Sequence, residues 1–281
     1  MTGLSQAARL AALASRLSER DQATVRDVVR LRFLTAGQLA RLHFAAIPQP
    51  LTRVRRVQRT LGRLVEHGLL LRCQRRVGGV RAGSASYTYS ATAEATRLVG
   101  YLSGQGIPRA RAVHEPGTTF VDHSVACSEL YVRLIEAERA GRLELLEHQV
   151  EPDCWRNYLG AIGSRLSLRP DAFVAVGVGE FEQRSFVEID RGTEGTSALR
   201  RKLSAYLDYW RCGAEQHAYD VFPRVVWQVN GDKRASVLHA LVDELPAVSR
   251  TLFVVTNADA VIEELSGEVV VGSASVAGGG S

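Results

Sequence analysis

Residues 169–202 read RPDAFVAVGVGEFEQRSFVEIDRGTEGTSALRRK, and this stretch decides how the second half of the chain folds. Residues 172–178 (AFVAVGV) and 185–190 (SFVEID) are β-rich runs joined by Gly179–Arg184, and their simplest reading is a hairpin. Side chains alternate faces along a strand, so Glu188 and Asp190 project from the same face. The pairing also carries Asp171 to that end of the hairpin. Three converging carboxylates form a hard, oxygen-only ligand set suited to Mg²⁺ or Mn²⁺, which points to metal-assisted phosphodiester chemistry.

Working outward, the pattern on the C-terminal side alternates. A helix is expected near 197–211, a strand at 224–229, a helix at 233–245, a strand at 251–256, a short helix, and a last strand near 268–271. On the N-terminal side come a helix near 121–140 and a strand near 143–150. Such alternation means α/β layers. In the first of these helices Leu199, Leu203, Tyr206, Leu207 and Trp210 form the buried stripe. Lys202 borders it about 40° from Tyr206, so it can lean toward the hairpin and its three acids.

Charge divides the chain. Residues 1–110 hold 18 Arg and no Lys against 5 acids, a net of +13; residues 111–281 hold 15 Arg and 2 Lys against 25 acids, a net of −8. The basic half carries the footprint of a polyanion binder. Ser18 and Asp21 open a helix over about 19–32 with Val25, Val28 and Val29 on its apolar face, and Thr35-Ala-Gly-Gln38 fits a capping box before a short second helix. A third helix, about Thr52–His67, ends before Gly68. On it Val54, Val57, Leu61, Leu64 and Val65 fill one arc, and Arg55, Arg56, Arg59 and Arg63 the opposite one. Strands at 69–75 and 85–90 flank a turn carrying Arg76 and Arg81. Three helices and a basic wing make a winged helix-turn-helix, whose third helix enters the major groove. Arg53, Arg55, Arg56, Arg59 and Arg63 are the expected duplex-DNA contacts, with Arg76 and Arg81 reaching the backbone or minor groove. An arginine-laced solvent face on a protein-binding winged helix is the bland alternative.

The resulting division is a leading segment (1–17), a winged helix-turn-helix (18–102), a linker (103–117), an α/β domain (118–271) and a disordered tail (272–281). Residues 1–17 are read as an ordinary leading helix rather than a transit peptide. No run of apolar residues is long enough for a membrane span, and a cytoplasmic location is the default expectation. Cys73, Cys127, Cys154 and Cys212 form no C-x-x-C pair, so neither a zinc knuckle nor a disulfide framework is indicated. No G-x-S-x-G elbow and no phosphate-cradling Gly-rich loop is present, which argues against a serine hydrolase and against ATP or NAD dependence.

Pro170-Asp171 followed by Glu188-Ile-Asp190 resembles the PD-(D/E)xK nuclease motif. The chain over about 15–265 is similar to the bacterial replication-relaxation family, its specific parts being PD, the run Glu188–Glu194 and the K-L-x-x-Y helix segment Lys202–Tyr206. The resemblance implies an α+β to α/β fold, a winged helix followed by a PD-(D/E)xK-like three-layer α/β domain, in a plasmid or mobile-element protein. It implies metal held by Asp171 and Glu188, with an acid from an early helix joining them: Glu129, or His123 nearby. Implied partners are double-stranded DNA, a relaxase or replication protein, and a second copy of the chain. Where the nuclease family has its lysine, this chain has Asp190. Three readings follow: Lys202 supplies the charge from the next helix and the protein is a Mg²⁺/Mn²⁺-dependent endodeoxyribonuclease; the site binds metal or DNA without cutting, in an accessory factor or regulator; or Asp190, Arg191 and Glu194 form an ion-pair network anchoring the hairpin.

Overall fold

The computed structural model describes residues 5–73, 87–107, 117–160 and 163–267. The chain divides into two compact units, residues 1–136 and 137–281. The wing arginines Arg76 and Arg81, and the expected strand near 268–271, lie outside the described residues.

In the first unit, α1 (Gln6–Ala14) precedes α2 (Glu19–Leu31), which starts on a reciprocal capping box: Asp21 N–H donates to Ser18 Oγ at 3.2 Å and Ser18 N–H to Asp21 Oδ2 at 3.0 Å. Val25, Val28 and Leu31 bury its apolar face. A short strand, β1 (Phe33–Thr35), was not anticipated; it leads into α3 (Ala36–His43), capped by Thr35 and Gln38. Next comes α4 (Pro50–Glu66), with proline at its first turn, where a missing N–H costs nothing. The chain leaves it through Gly68 at φ 67°, a left-handed conformation that favours glycine. Strands β2 (Leu70–Arg72) and β3 (Thr88–Ala91) pair antiparallel, and β1 joins the other edge of β3. After β3 come α5 (Ala93–Leu102) and α6 (Thr118–Arg139).

The buried stripe of α4 is narrower than its sequence suggests. Val57, Thr60, Leu61 and Leu64 are buried, whereas Val54 and Val65 are exposed. The division between units falls inside α6, because polar groups fasten most of this helix to the first unit. Ser128 Oγ donates to Phe33 O at 2.7 Å, and Gln38 Nε2 donates to Val125 O at 3.0 Å.

The second unit is built on a mixed five-stranded sheet in the order β10-β9-β8-β7-β4. β4 (Glu144–Val150), β7 (Ala172–Val178) and β8 (Phe181–Asp190) run antiparallel to their neighbours; β8, β9 (Arg224–Val229) and β10 (Phe253–Asn257) run parallel. The hairpin register, Ala172 opposite Val187 and Val178 opposite Phe181, leaves only Gly179 and Glu180 as the connection. The turn is therefore shorter than Gly179–Arg184, and Gly179 at φ 60° supplies the backbone a two-residue hairpin needs.

One face of this sheet carries Phe173, Phe186, Val225 and Trp227 against α7 (Thr196–Cys212) and α9 (Asp232–Asp243). Leu199, Leu203, Tyr206 and Leu207 of α7 are buried there as expected, with Tyr209 rather than Trp210 completing the stripe. The other face meets α11 (Val261–Ser266), where Arg224 donates to Glu264 O. Covering both faces explains why β7 reads as a continuous apolar run. A separate antiparallel ribbon, β5 (Arg156–Leu159) with β6 (Arg165–Leu168), and the short helices α8 (Ala214–Tyr219) and α10 (Ala247–Arg250) complete the unit.

Candidate functional site

β6 runs through Pro170 into β7, and Cys154 Sγ, buried under this junction, donates to Pro170 O at 3.0 Å. Asp171 immediately precedes β7, its carboxylate turned across to the neighbouring strand, where Oδ2 accepts from Ile189 N–H at 2.7 Å. Glu188 lies on the face of β8 that α7 covers. Its Oε1 accepts from the Tyr206 hydroxyl at 2.7 Å and its Oε2 from Lys202 Nζ at 2.8 Å. Lys202 also reaches Glu194 Oε1 at 3.3 Å. Asp171 and Glu188 are buried, and Lys202, about one-third exposed at 35%, is the member of this trio open to solvent.

The electrostatics follow from that burial. Desolvation pushes the Glu188 carboxyl up to about 7; the charge of Asp171 adds to the rise, and Lys202 and the Tyr206 hydroxyl oppose it. Burial works against the Lys202 ammonium, yet the charges of Glu188 and Asp171 outweigh it and raise its pKa. Burial, reinforced by Glu188, drives the Tyr206 phenol well up, so its proton stays on the hydrogen bond.

Asp190 takes a different course. Its Oδ2 accepts from Arg234 Nε at 2.6 Å and its Oδ1 from Gly192 N–H at 2.6 Å, while Arg234 also donates to Glu194 O at 2.9 Å. The third acid of the hairpin is thus held by the first turn of α9. Glu129 belongs to the first unit, where it accepts from Gln38 Nε2 at 3.0 Å and pairs with Arg41 at 2.6 Å. His123 is also on α6, its Nε2 3.5 Å from Cys127 Sγ. Among the described residues no group of three or more His, Cys, Asp or Glu side chains is arranged to hold a metal ion.

Two carboxylates remain side by side, Asp171 and Glu188. One or two carboxylates is the number Mg²⁺ usually takes from protein, the rest of its shell being water and substrate phosphate. After burial, the neighbouring Asp171 is the next cause that raises the Glu188 pKa, and a cation beside the pair would oppose both. The donor set fits a hard divalent ion held by these two residues.

On α4 the arginines divide by what they touch. Arg53 is spent on the preceding loop, its Nε and Nη2 donating to Ile47 O at 2.9 and 2.7 Å. Arg63 grips Asp21, with Nη2 at 2.6 Å from Oδ1 and 2.8 Å from Oδ2. Arg55, Arg56 and Arg59 are exposed and pair with no acid among the described residues.

A family model described as replication-relaxation matches residues 25–225, most of the chain and parts of both units. The chain belongs to the replication-relaxation family. No curated protein and no solved structure matches it. Membership points to a replication- or relaxase-related protein of mobile elements, and no helix among the described residues is long and apolar enough to cross a membrane.

Three participants were invisible as such in the sequence. Tyr206 stands in the apolar stripe and at the end of the K-L-x-x-Y segment, but only the rule that a phenol deep in a core needs an acceptor hints at its bond to Glu188. Arg234 and Asp21 bind partners 44 and 42 residues away, and no local pattern marks those pairings, Asp21 being legible only as a capping residue.

Proposed function

We propose that this replication-relaxation protein binds duplex DNA through the outer face of α4 and breaks phosphodiester bonds at the Asp171–Glu188–Lys202 centre, with Mg²⁺ or Mn²⁺ as cofactor. The contact that carries the reading is Lys202 Nζ at 2.8 Å from Glu188, with Asp171 immediately before the paired strand. It joins two carboxylates and a lysine in one centre, the side-chain chemistry of a PD-(D/E)xK site, with the lysine supplied by α7 instead of by β8. The mixed sheet with helices on both faces, and the antiparallel β2–β3 pair following α4, support the nuclease-like and winged-helix readings of the two units.

Asp171 and Glu188 would hold the ion, which when bound supplies charge neutralisation at phosphate and a more acidic water. Lys202, the member open to solvent, would meet a phosphate oxygen and stabilise charge developing on it. Glu188, whose carboxyl burial pushes up to about 7, would give up its proton as the ion binds, and Tyr206 fixes the oxygen opposite Lys202. Asp190 has a positioning part: through Arg234 it ties the end of β8 to α9.

The test is nicking of supercoiled plasmid by the full chain in Mg²⁺ or Mn²⁺. Activity is expected in the wild type and is expected to vanish in Asp171→Ala and Glu188→Ala while DNA binding persists. Absence of cleavage across both metals and several substrates overturns the nuclease reading. One observation favours a second reading, a DNA-binding accessory factor that does not cut: both Glu188 oxygens are already engaged by Lys202 and Tyr206. On that reading the same variants change stability and nothing else.

A further inference from the structure

The half of the chain beyond residue 110 is net acidic, yet one concave surface of the second unit is lined by arginine. Two adjoining depressions, about 340 and 660 Å³, share Tyr158, Leu166 and Ser167 of the β5–β6 ribbon. Arg200 and Arg201 of α7 line the first, Arg165 and Arg169 the second. All four are exposed. Arg200 is partly spent on Glu244 at 2.8 Å, and Arg169 stacks over the Trp155 ring at 4.6 Å, which holds its guanidinium at the rim without neutralising it. Arg165 and Arg201 have no acidic partner among the described residues. Asp208 is the acid that lines the groove, and it pairs with Arg211 at 3.5 Å.

Both arginine pairs stand close in the chain to the centre proposed above. β6 continues through Arg169 and Pro170 to Asp171, and α7 passes from Arg200 and Arg201 to Lys202. The arginines of both depressions are therefore within a few residues, along the chain, of the acid–lysine trio.

We infer that these two adjoining depressions, one between the β5–β6 ribbon and α7 and one on the ribbon itself, form a second DNA-contacting surface for the phosphodiester backbone. Charge complementarity selects the occupant: unpaired guanidinium groups in an acidic unit suit phosphate and have no use for an apolar segment. The inference rests on the nuclease-site reading for its link to the centre, but its charge argument stands apart from cleavage.

The test measures the salt dependence of DNA binding by the full chain as wild type, Arg55→Ala/Arg59→Ala, Arg165→Ala/Arg201→Ala and Arg165→Lys/Arg201→Lys. Each phosphate contact contributes about 0.9 to the slope of log K against log salt on duplex DNA and about 0.7 on single strands. Arg165→Ala/Arg201→Ala should lower the slope by about 1 to 2, and the lysine pair should restore it, with melting temperatures of both pairs unchanged. An unchanged slope in the alanine pair overturns the groove, and is also the result if a protein segment occupies it. A slope that falls there but not in Arg55→Ala/Arg59→Ala upholds the groove while removing α4, and loss of nicking in neither pair leaves the groove assignment standing on binding alone.

Discussion

The arginine face of α4 and the acid–lysine centre beside α7 spend their charges in opposite ways. On α4, Arg55, Arg56 and Arg59 point into solvent with no acid to meet them among the described residues, so their charge is available to a partner. In the centre, Glu188 is buried with Lys202 on one oxygen and Tyr206 on the other, and Asp190 is buried against Arg234. Exposed charge costs little and waits for a ligand. Buried charge must be compensated inside the fold, so there the same residue types serve structure first and chemistry second. Arg63 shows the boundary within one helix: four residues beyond Arg59, it leaves the outward set because Asp21, almost fully buried, needs a cation.

The largest expected effect tests the buried side. Asp190→Asn should destabilise the protein by about 3 kcal/mol, because Arg234 loses its charged partner in a site where both side chains are largely buried, 4% and 16% exposed. Urea unfolding measures it, and nicking per folded molecule should survive; selective loss of activity would return Asp190 to the catalytic set. Lys202→Ala should cost about 2 kcal/mol, less than a fully buried pair because Lys202 is one-third exposed. Nicking should be abolished with it, whereas Tyr206→Phe keeps the ring and should lower activity more mildly.

A pH prediction comes next. With the folded Glu188 carboxyl near 7 against an ordinary 4.5, the native state holds a proton that the unfolded chain releases between those values. The stability this group contributes is therefore complete below about 4.5 and lost as pH climbs through 7. Glu188→Gln stays neutral, so across that window its melting temperature should fall less than that of the wild type. Saturating Mg²⁺ should act in the same direction on the wild type and release protons measurable by titration; no proton release near neutral pH would argue against metal at this pair.

The smallest stability effects belong to α4. Arg63→Ala should cost about 1 kcal/mol by removing the cation beside Asp21, which keeps its Ser18 bonds, while Arg55→Ala and Arg59→Ala stay within about 0.5 kcal/mol. For duplex binding the order reverses: the double variant Arg55→Ala/Arg59→Ala should flatten the salt dependence by about 2, and Arg63→Ala should leave it unchanged. A common effect for all three arginines would erase the contrast between them.

Local patterning was a good guide wherever a strong signal covered a whole element. The capping pairs Ser18/Asp21 and Thr35/Gln38, the strand Arg224–Val229, the hairpin and the apolar stripe of α7 were all legible. Short elements were not: β1 has three residues, the β5–β6 ribbon four per strand, and neither carries enough periodicity to stand out. The buried stripe of α4 is narrower than its apolar arc, since helical geometry orders side chains around an axis but says nothing of how far neighbouring elements extend over them.

By itself the sequence determined the division of charge between the two halves, the family, and the presence of Asp171, Glu188 and Lys202 within a strand, strand and helix able to meet. Those properties depend on composition and on spacings within single elements. Tertiary structure alone decided which acid meets which cation: Lys202 for Glu188, Arg234 for Asp190, Arg63 for Asp21 and Arg41 for Glu129. Partner choice is made across tens of residues by packing and by the cost of leaving a buried charge unpaired, and no local pattern encodes it.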